Sequence, residues 1–403
     1  MIRLRFLSPY LAVLCLLAVQ CAAAQAPAPA FVPDAAYANT ASIDVLGNDL
    51  FVQSGSTGMV LVVVRGNQTI FRSYGENAPG SHQAPTQESL LRLCSLTKIF
   101  TTDLLTKLVA DKTVALDDPL QQFAPTGKKV PSRVKQITLL DLATHTSGLP
   151  RELGTPPALT PHFTFPDYGT RWRWLPNQHL RTVPGTAALY SNVAFDYLSD
   201  ALQAAAHKQY AALLAEHTLN PLDMWGTTYF PNAEQCSRLL VGAHDQGPCS
   251  VTEATAGSSG LYSTPRDMAI WLKYLLGSGD TSTAQDAAAQ AVYILPASLK
   301  SQKGLDHAGE PTGVGLGWIH ILPADSPSTI VEKTGGGAGF STYIAINRSR
   351  RTAIFVAATD GPVYTHVNLF NAANKLLLAV AGLPPLPEPV VKPVVAHRRP
   401  RRR

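Results

Sequence analysis

Three short motifs, far apart in a chain of 403 residues, limit what this sequence can fold into. They are Ser-Leu-Thr-Lys at 95–98, Tyr-Ser-Asn at 190–192 and Lys-Thr-Gly at 333–335. Each motif alone is weak, because patterns this short also occur by chance. Together, and in this order, they supply a hydroxyl nucleophile, groups that can take its proton and a cationic anchor. The fold therefore has to bring three distant segments to one place.

The first motif has the spacing of a helix that begins at a serine. Ser95 and Lys98 are three positions apart, so on a helix they share one face and lie one turn from each other. The apolar pattern of 99–109 predicts that helix, with Ser95 at its N-terminus. There, free N–H groups and the helix dipole favour an alkoxide-like serine and a developing oxyanion.

Two decoy motifs lack this context. A second Ser-x-x-Lys, at 132–135, lies in a connector rich in Pro and Lys. A second Tyr-x-Asn, at 37–39, precedes any strand or helix signal and has no serine motif before it. Only the set at 95, 190 and 333 combines the right order with an apolar segment around each motif.

With these motifs, the chain resembles the class C-like branch of the serine β-lactamase and penicillin-binding-protein superfamily. That branch has Tyr-x-Asn where class A enzymes have Ser-Asp-Asn. Within the branch, the chain is most similar to the D-alanyl-D-alanine carboxypeptidase/endopeptidases. The likeness extends from about Gly55 to Gly382 and includes the segments 139–150, 221–224, 260–268 and 315–318.

The predicted catalytic residues are Ser95, Lys98 and Tyr190. Ser95 is the expected nucleophile, and Lys98 and Tyr190 are expected to share the proton transfers, as the resemblance implies. Burial beside another cation would lower the pKa of Lys98, and Lys98 with Lys333 would lower the pKa of Tyr190.

The predicted substrate-binding residues are Asn192, Lys333, Thr334 and Gly335. Lys333 by its charge and Thr334 by its hydroxyl suit a terminal carboxylate. Gly335 allows a substrate backbone to approach the strand edge closely. The resemblance places the oxyanion hole at the backbone N–H groups of Ser95 and Gly336. His145 is expected to be a structural hydrogen-bonding residue rather than a catalyst.

The first 24 residues have the pattern of a secretory signal peptide. Arg3 and Arg5 precede an apolar core at 11–19, and small residues follow at 22–24. This pattern predicts export to the periplasm, with a lipid anchor at Cys21 as the alternative. No other stretch is long and apolar enough to cross a membrane.

The remaining cysteines are expected to have different roles. Cys236 and Cys249 lie in one polar segment, and an exported compartment permits a disulfide between them. Cys94 precedes Ser95 and is expected to be a small buried hydrophobic residue, since a cysteine nucleophile would need a paired histidine.

The formal net charge of +5 is concentrated near the ends of the chain. Residues 383–403 are rich in Pro and Arg and are predicted to be a disordered tail, whereas the body of the chain is slightly acidic. The tail is expected either to be inert or to make weak contacts with an anionic envelope surface. Nucleic-acid binding conflicts with the export signal, so no such partner is expected.

The order of elements predicts an α+β fold, an antiparallel sheet flanked by helices with an inserted all-α lobe. The resemblance implies the β-lactamase/transpeptidase-like arrangement, with the site at the seam between lobes. One catalytic domain is expected at 25–382, with an α/β lobe at about 40–130 and 250–382 and an α lobe at about 131–249. The predicted elements are a hairpin at 58–71, helices at 191–206, 209–217, 265–276 and 364–381, and strands at 317–322, 330–333, 340–346 and 352–358.

The resemblance implies a D-Ala-D-Ala carboxypeptidase/endopeptidase that acts on peptidoglycan peptides through an acyl-enzyme and is acylated by penicillins. The alternatives are a class C-like β-lactamase, a promiscuous esterase or, from another class, a protein that binds peptidoglycan or β-lactams without turnover. The sequence has neither Gly-x-Ser-x-Gly nor His-Glu-x-x-His, which argues against an α/β-hydrolase and a zinc peptidase. No cofactor and no metal are expected.

Overall fold

The structure of the protein is a computed structural model that describes residues 40–244, 246–277, 288–305, 308–361 and 366–386. The predicted signal peptide at 1–24, with Cys21, lies outside the described residues, and so does the predicted tail after residue 386. Within the described part of the chain, no helix combines the length and apolar character needed to span a membrane.

The strands belong to one large sheet and two short pairs. In chain order they are β1 (Gly58–Arg65), β2 (Gln68–Gly75), β3 (Leu91–Arg92), β4 (Ala188–Leu189), β5 (Tyr262–Ser263), β6 (Gln302–Lys303), β7 (Gly313–Val314), β8 (Ile319–Ile321), β9 (Ile330–Gly337), β10 (Phe340–Asn347) and β11 (Thr352–Thr359). The large sheet has the order β2-β1-β11-β10-β9-β8-β7, and every neighbouring pair in it is antiparallel. β3 pairs with β5, and β4 pairs with β6.

The helices flank this sheet. The first helix precedes β1 in the chain, the last helix follows β11, and the others lie between β2 and β7. In chain order, those in the described residues are α1 (Thr40–Ser54), α2 (Thr97–Ala110), α3 (Leu139–Ala143), α4 (Tyr168–Trp174), α5 (Asn192–Ala206), α6 (Tyr210–Leu214), α7 (Ala233–Ser237), α8 (Pro265–Leu275) and α9 (His366–Ala381).

The large sheet is buried on both faces. Successive side chains of a strand point to opposite sides, so the continuous apolar run of β1 divides between two cores. Val60, Val62 and Val64 join one core with residues of α2 and α8, on the face called the front here. Met59, Leu61 and Val63 join the other with residues of α1 and α9, on the back face. The result is a layered structure with helices on each side of the sheet.

The segment predicted as an α lobe, at about 131–249, holds α3 to α7 and the two-residue strand β4 among its described residues. Its longest helix, α5, contacts α2 and α3. The Ser191 hydroxyl caps α5 by accepting the Ala194 N–H at 3.0 Å, and Thr138 and Asp141 form a capping box on α3. These contacts bring the beginning of α5 close to α2.

The predicted fold class is confirmed: the sheet is antiparallel, helices flank it, and the predicted hairpin, helices and later strands are present. Helix α1 was not predicted from the sequence. Its interior contains Gly47, which weakens a helical pattern. The structure requires this glycine, because a Cβ there would lie 2.1 Å from the Tyr74 hydroxyl oxygen.

Candidate active site

Ser95 lies at a sharp turn from strand to helix. After β3, a 3₁₀ turn at Cys94–Leu96 leads directly into α2, which places Ser95 at the helix N-terminus as predicted. The turn holds Cys94 at a φ of +52°, in the left-handed region that costs a non-glycine residue about 1 kcal/mol or more. The Cys94 thiol is buried, and its Sγ lies 3.3 Å from the Gly337 carbonyl oxygen.

Two side chains approach the Ser95 hydroxyl. Lys98 Nζ lies 3.1 Å from Ser95 Oγ, and the Tyr190 hydroxyl lies 2.7 Å from it. The same Lys98 nitrogen contacts Asn192 Oδ1 at 2.7 Å and the Ser258 carbonyl oxygen at 2.8 Å. In the neutral form of Lys98, two protons can serve the two carbonyl oxygens, which leaves the lone pair to accept the serine proton. The contacts therefore suit Lys98 as a base.

Positive charge is crowded around this serine. Burial lowers the pKa of Lys98 well below its ordinary value, and the charge of Lys333 lowers it further. Lys98 Nζ and Lys333 Nζ lie 5.0 and 5.3 Å from the centre of the Tyr190 ring, and the Arg151 guanidinium lies 4.5 Å from it. The charges of Lys333 and Arg151 favour both a neutral Lys98 and negative charge on a neighbouring oxygen.

His145 supports Tyr190 from behind. Its ring stacks on the Tyr190 ring at 4.4 Å, and its Nδ1 accepts the Ser191 backbone N–H at 3.1 Å. Burial, and then the charges of Lys98 and Lys333, lower the pKa of His145 well below its ordinary value, so the ring is neutral and can accept this hydrogen bond. These contacts are those of a structural residue.

The third motif lies on β9 beside the turn that carries Ser95. Lys333 and Thr334 are buried, and Lys333 Nζ donates to the Thr334 carbonyl oxygen at 2.8 Å. Gly335 is needed here because a Cβ would lie 2.2 Å from Thr342 Oγ1 and 3.2 Å from the Ser95 backbone nitrogen. The sequence predicts that this glycine lets a substrate backbone come close to the strand. The structure gives a second reason, because the backbone of Ser95 itself lies close to Gly335.

A cavity of about 610 Å³ opens at this point, between Ser95 and the edge of β9. The ladder with β8 ends at Glu332, so residues 333–337 have no strand partner from β8. From the predicted site, Ser95, Asn192, Thr334, Gly335 and Gly336 line the cavity. The other lining residues are Arg151, Glu152, Phe163, Ser259, Gly337, Ala308, Phe370 and Asn371.

A charged pair in the cavity, Arg151 and Glu152, was not predicted from the sequence as part of the site. Glu152 Oε1 accepts from Asn192 Nδ2 at 2.5 Å, while half of its side chain stays exposed. The Arg151 carbonyl oxygen accepts the Asn192 backbone N–H at 2.9 Å. The signal available in the sequence was two adjacent charges directly after the apolar segment that ends at Pro150.

A buried carboxyl below Lys98 was missed as well. Asp196 follows Asn192 by one helical turn, and burial raises its pKa to about 7. Ser258 acts to lower that pKa, and its carbonyl oxygen accepts from Lys98. The four-residue spacing from Asn192 was the signal in the sequence that could have identified it.

The cysteine predictions are confirmed. Cys236 and Cys249 form a disulfide, and Cys94 is a buried free thiol whose pKa burial raises to about 12. Among the described residues, no group of three or more His, Cys, Asp or Glu side chains could hold a metal ion.

Comparisons with known proteins show the family of the chain. A family model described as Beta-lactamase matches residues 25–376. The chain is 41% identical over 346 residues to the Escherichia coli K12 protein named D-alanyl-D-alanine-carboxypeptidase/endopeptidase AmpH, and the match covers 85% of this chain and 90% of that protein.

Solved structures give the same result. A β-lactamase/D-alanine carboxypeptidase from Yersinia pestis, complexed with citrate, matches with a TM-score of 0.81 and 41% identity, over 85% of this chain and 98% of that one. A class C β-lactamase matches with a TM-score of 0.68 and 20% identity, over 84% of this chain and 95% of that one. At that identity, the second match supports the fold alone.

Proposed function

Because this chain belongs to the β-lactamase family, we propose that it is a serine D-Ala-D-Ala carboxypeptidase/endopeptidase. It acts on peptidoglycan peptides through an acyl-enzyme, and penicillins acylate the same serine. The relative with 41% identity, which is named for this activity, supports the proposal. The observation that carries it is the meeting of Lys98 and Tyr190 at the Ser95 hydroxyl.

In the proposed reaction, Ser95 Oγ attacks the carbonyl carbon of the penultimate D-alanine. Neutral Lys98, together with Tyr190, takes the serine proton as the C–O bond forms. The backbone N–H groups of Ser95 and Gly336 stabilise the oxyanion. The proton then passes to the leaving amine as the C–N bond breaks, which releases D-alanine or a cross-linked peptide. Water attacks the ester and regenerates the free serine.

Substrate binding is proposed to use the edge of β9 beyond its ladder with β8. A peptide backbone can pair with residues 333–337, where the ladder with β8 has ended. Lys333 and Thr334 would bind the terminal carboxylate, and Gly335 keeps the strand close to the nucleophile. Asn192 would orient Lys98 and contact the substrate amide, which requires its Nδ2 to be shared with Glu152 or released from it.

The proposal also covers the arrangement of the lobes and the location of the enzyme in the cell. The lobe boundaries, with an α lobe at about 131–249 between two parts of an α/β lobe, place the site where the lobes meet. Export by the signal peptide places the enzyme in the periplasm, where its substrate lies. Fractionation of cells that express the full chain, with detection of the mature N-terminus, tests the second statement.

The proposal is tested by intact-protein mass spectrometry with benzylpenicillin, followed over time. The wild-type protein should gain one penicilloyl adduct, and Ser95→Ala should gain none. Ser132→Ala, in the decoy motif, is the matched control and should be acylated like the wild type. A parallel assay measures release of D-alanine from a pentapeptide.

The outcomes separate the alternatives. A long-lived adduct with D-alanine release supports the carboxypeptidase/endopeptidase, and rapid loss of the adduct with penicillin consumption supports a class C-like β-lactamase. An adduct that forms with neither peptide cleavage nor penicillin turnover would leave the non-turnover binding protein. No adduct and no peptide cleavage would refute the proposal and favour the esterase.

A further inference from the structure

Directly behind the site, four groups form a closed ring of hydrogen bonds across the back of β9. The Ala308 backbone N–H donates to Glu332 Oε1 at 2.8 Å, and Glu332 Oε2 contacts the Tyr343 hydroxyl. The Tyr343 hydroxyl lies 2.7 Å from Asn374 Oδ1, and Asn374 Nδ2 donates to the Ala308 carbonyl oxygen at 2.7 Å. All four residues are buried, and Glu332 and Tyr343 are 0% exposed.

A count of protons fixes the state of this ring. The Ala308 carbonyl can only accept, so the nitrogen of the Asn374 amide must face it and the amide oxygen must face Tyr343. Tyr343 has one hydroxyl proton, which it donates to that amide oxygen. The proton between Tyr343 and Glu332 must then come from Glu332. The ring is complete only if Glu332 carries a proton.

We infer that Glu332 is a positioning residue for the proposed active site and works as a neutral carboxylic acid. The ring ties together three walls of the cavity. Ala308 lines the cavity itself. Glu332 precedes Lys333 on β9, at the residue where the pairing with β8 ends. Asn374 lies one turn after Phe370 and Asn371, which line the cavity from α9. Loss of the Glu332 proton would put a charge in the ring and leave Tyr343 with one proton for two acceptors, so the ring would open at one link.

The surroundings of Glu332 agree with this assignment. Burial raises the pKa of Glu332 to about 7, although the contacts with Tyr343 and the Ala308 N–H and the charge of Lys333 act to lower it. Among the described residues, Tyr343 on β10 is a titratable side chain in contact with it, and burial raises the pKa of Tyr343 well above its ordinary value. On β8, His320 pairs with Val331 and so points to the other face, and on α9 Lys375 is exposed.

The inference gives a defined dependence on pH. In the unfolded chain Glu332 ionises near its ordinary pKa of 4.5, and in the folded protein near 7. Its contribution to stability is therefore complete below about pH 4.5 and is lost as the pH rises to about 7. At about pH 8.5 only about 3% of Glu332 would remain neutral, so acylation that needs the closed ring would fall by up to about 30-fold.

The central experiment compares the wild type with Glu332→Gln, because a glutamine amide can donate to Tyr343 without titrating. Difference infrared spectroscopy at about pH 5.5 should show a protonated carboxyl band in the wild type that is absent from Glu332→Gln. The rate of acylation by benzylpenicillin should be similar in the two proteins at that pH. At about pH 8.5 the wild type should be up to about 30-fold slower than Glu332→Gln.

Asp267→Asn is the matched control. Asp267 is a buried carboxyl on α8 with a raised pKa, it accepts from Thr227, and it does not line the cavity. This variant should keep the infrared band assigned to Glu332 and the wild-type pH profile of acylation.

A second variant protects the test if Glu332→Gln fails to fold. Asn374→Ala frees the Tyr343 proton for Glu332, so the protonated carboxyl band should titrate at a lower pH than in the wild type. The inference is wrong if the wild type has no such band, or if wild type and Glu332→Gln have the same pH profile. The kinetic part rests on the proposed function, whereas the infrared part does not. A wild type that penicillin does not acylate would therefore refute the function and leave the ring open to test.

Discussion

Lys333 and Glu332 are neighbours on β9, yet they belong to two different environments. Both are buried, with exposed fractions of 2% and 0%. Lys333 faces the front, near Tyr190 and Lys98 and beside the cavity. Glu332 faces the back, where each of its oxygens has a partner within the closed ring. Both side chains are buried, so burial does not distinguish them. The difference is that Lys333 can exchange its polar partners for those of a ligand in the cavity, whereas Glu332 cannot.

The same contrast extends to protonation. On the front face, burial and neighbouring cations favour loss of a proton from Lys98, which leaves a base beside the serine. On the back face, burial favours retention of a proton by Glu332, which leaves the closed ring of hydrogen bonds uncharged. In both places the low-dielectric interior selects the neutral form. On the front face, the neutral form of Lys98 is a reactive base. On the back face, the neutral form of Glu332 only makes hydrogen bonds.

The largest expected effect follows removal of the front-face base. Lys98→Met should lower the rate of acylation by benzylpenicillin by about 10³-fold or more, because the serine loses the group that takes its proton. The rate is measured by mass spectrometry, and thermal unfolding checks that the variant is folded.

Lys135→Met, in the decoy motif, is the control for that change. Lys135 is half-exposed and pairs with Asp141 at 3.4 Å, so its loss should change the acylation rate less than twofold. If Lys98→Met kept more than about a tenth of the wild-type rate, the assignment of Lys98 as the base would be wrong.

A smaller effect is expected when the charge of Lys333 is removed. Lys333→Met should raise the pKa of Lys98, so the acidic limb of the acylation profile should move to higher pH. The variant should also bind peptides with a terminal carboxylate about 10- to 100-fold more weakly. Lys333→Arg keeps the charge and should leave the limb in place, and an unmoved limb in Lys333→Met would contradict the proposed coupling.

The smallest effect on acylation is expected at the disulfide, whose two cysteines do not line the cavity. Replacement of both Cys236 and Cys249 by serine opens a disulfide that spans 13 positions. The free energy of unfolding should fall by about 3 kcal/mol, as denaturant titration would show, with the acylation rate of the folded protein unchanged. A changed acylation rate would mean that the structure of the active site depends on this disulfide.

The sequence predicted the front face better than the back. Ser95, Lys98, Tyr190 and Asn192 could be found because nucleophilic chemistry needs particular residue types at fixed local spacings, and the structure brings these side chains into contact. The antiparallel sheet could be predicted because β-rich runs and turns alternate in the last third of the chain. The spacing of Ser95 and Lys98 sufficed to place them on one helical turn.

The remaining features depend on contacts that local patterns do not encode. Glu332 and Tyr343 meet through the register of β9 with β10, and Ala308 joins them from a separate segment. The turn at Cys94 is held by its neighbours, since nothing in the residue type favours a positive φ. Helix α1 depends on packing against α9, and Glu152 becomes a site residue only because α5 begins beside it.

The pairing of β1 with β11 has a consequence for when the protein can become active during its synthesis. Gly58 and Thr359, which bond across this pair, are 301 positions apart. The sheet can close only after the last strand has left the ribosome, and a contact between such distant positions forms slowly. The nucleophile at Ser95 is synthesised early, but β9 follows more than 200 residues later. Incomplete chains that already contain Ser95 therefore lack β9 and cannot form the active site.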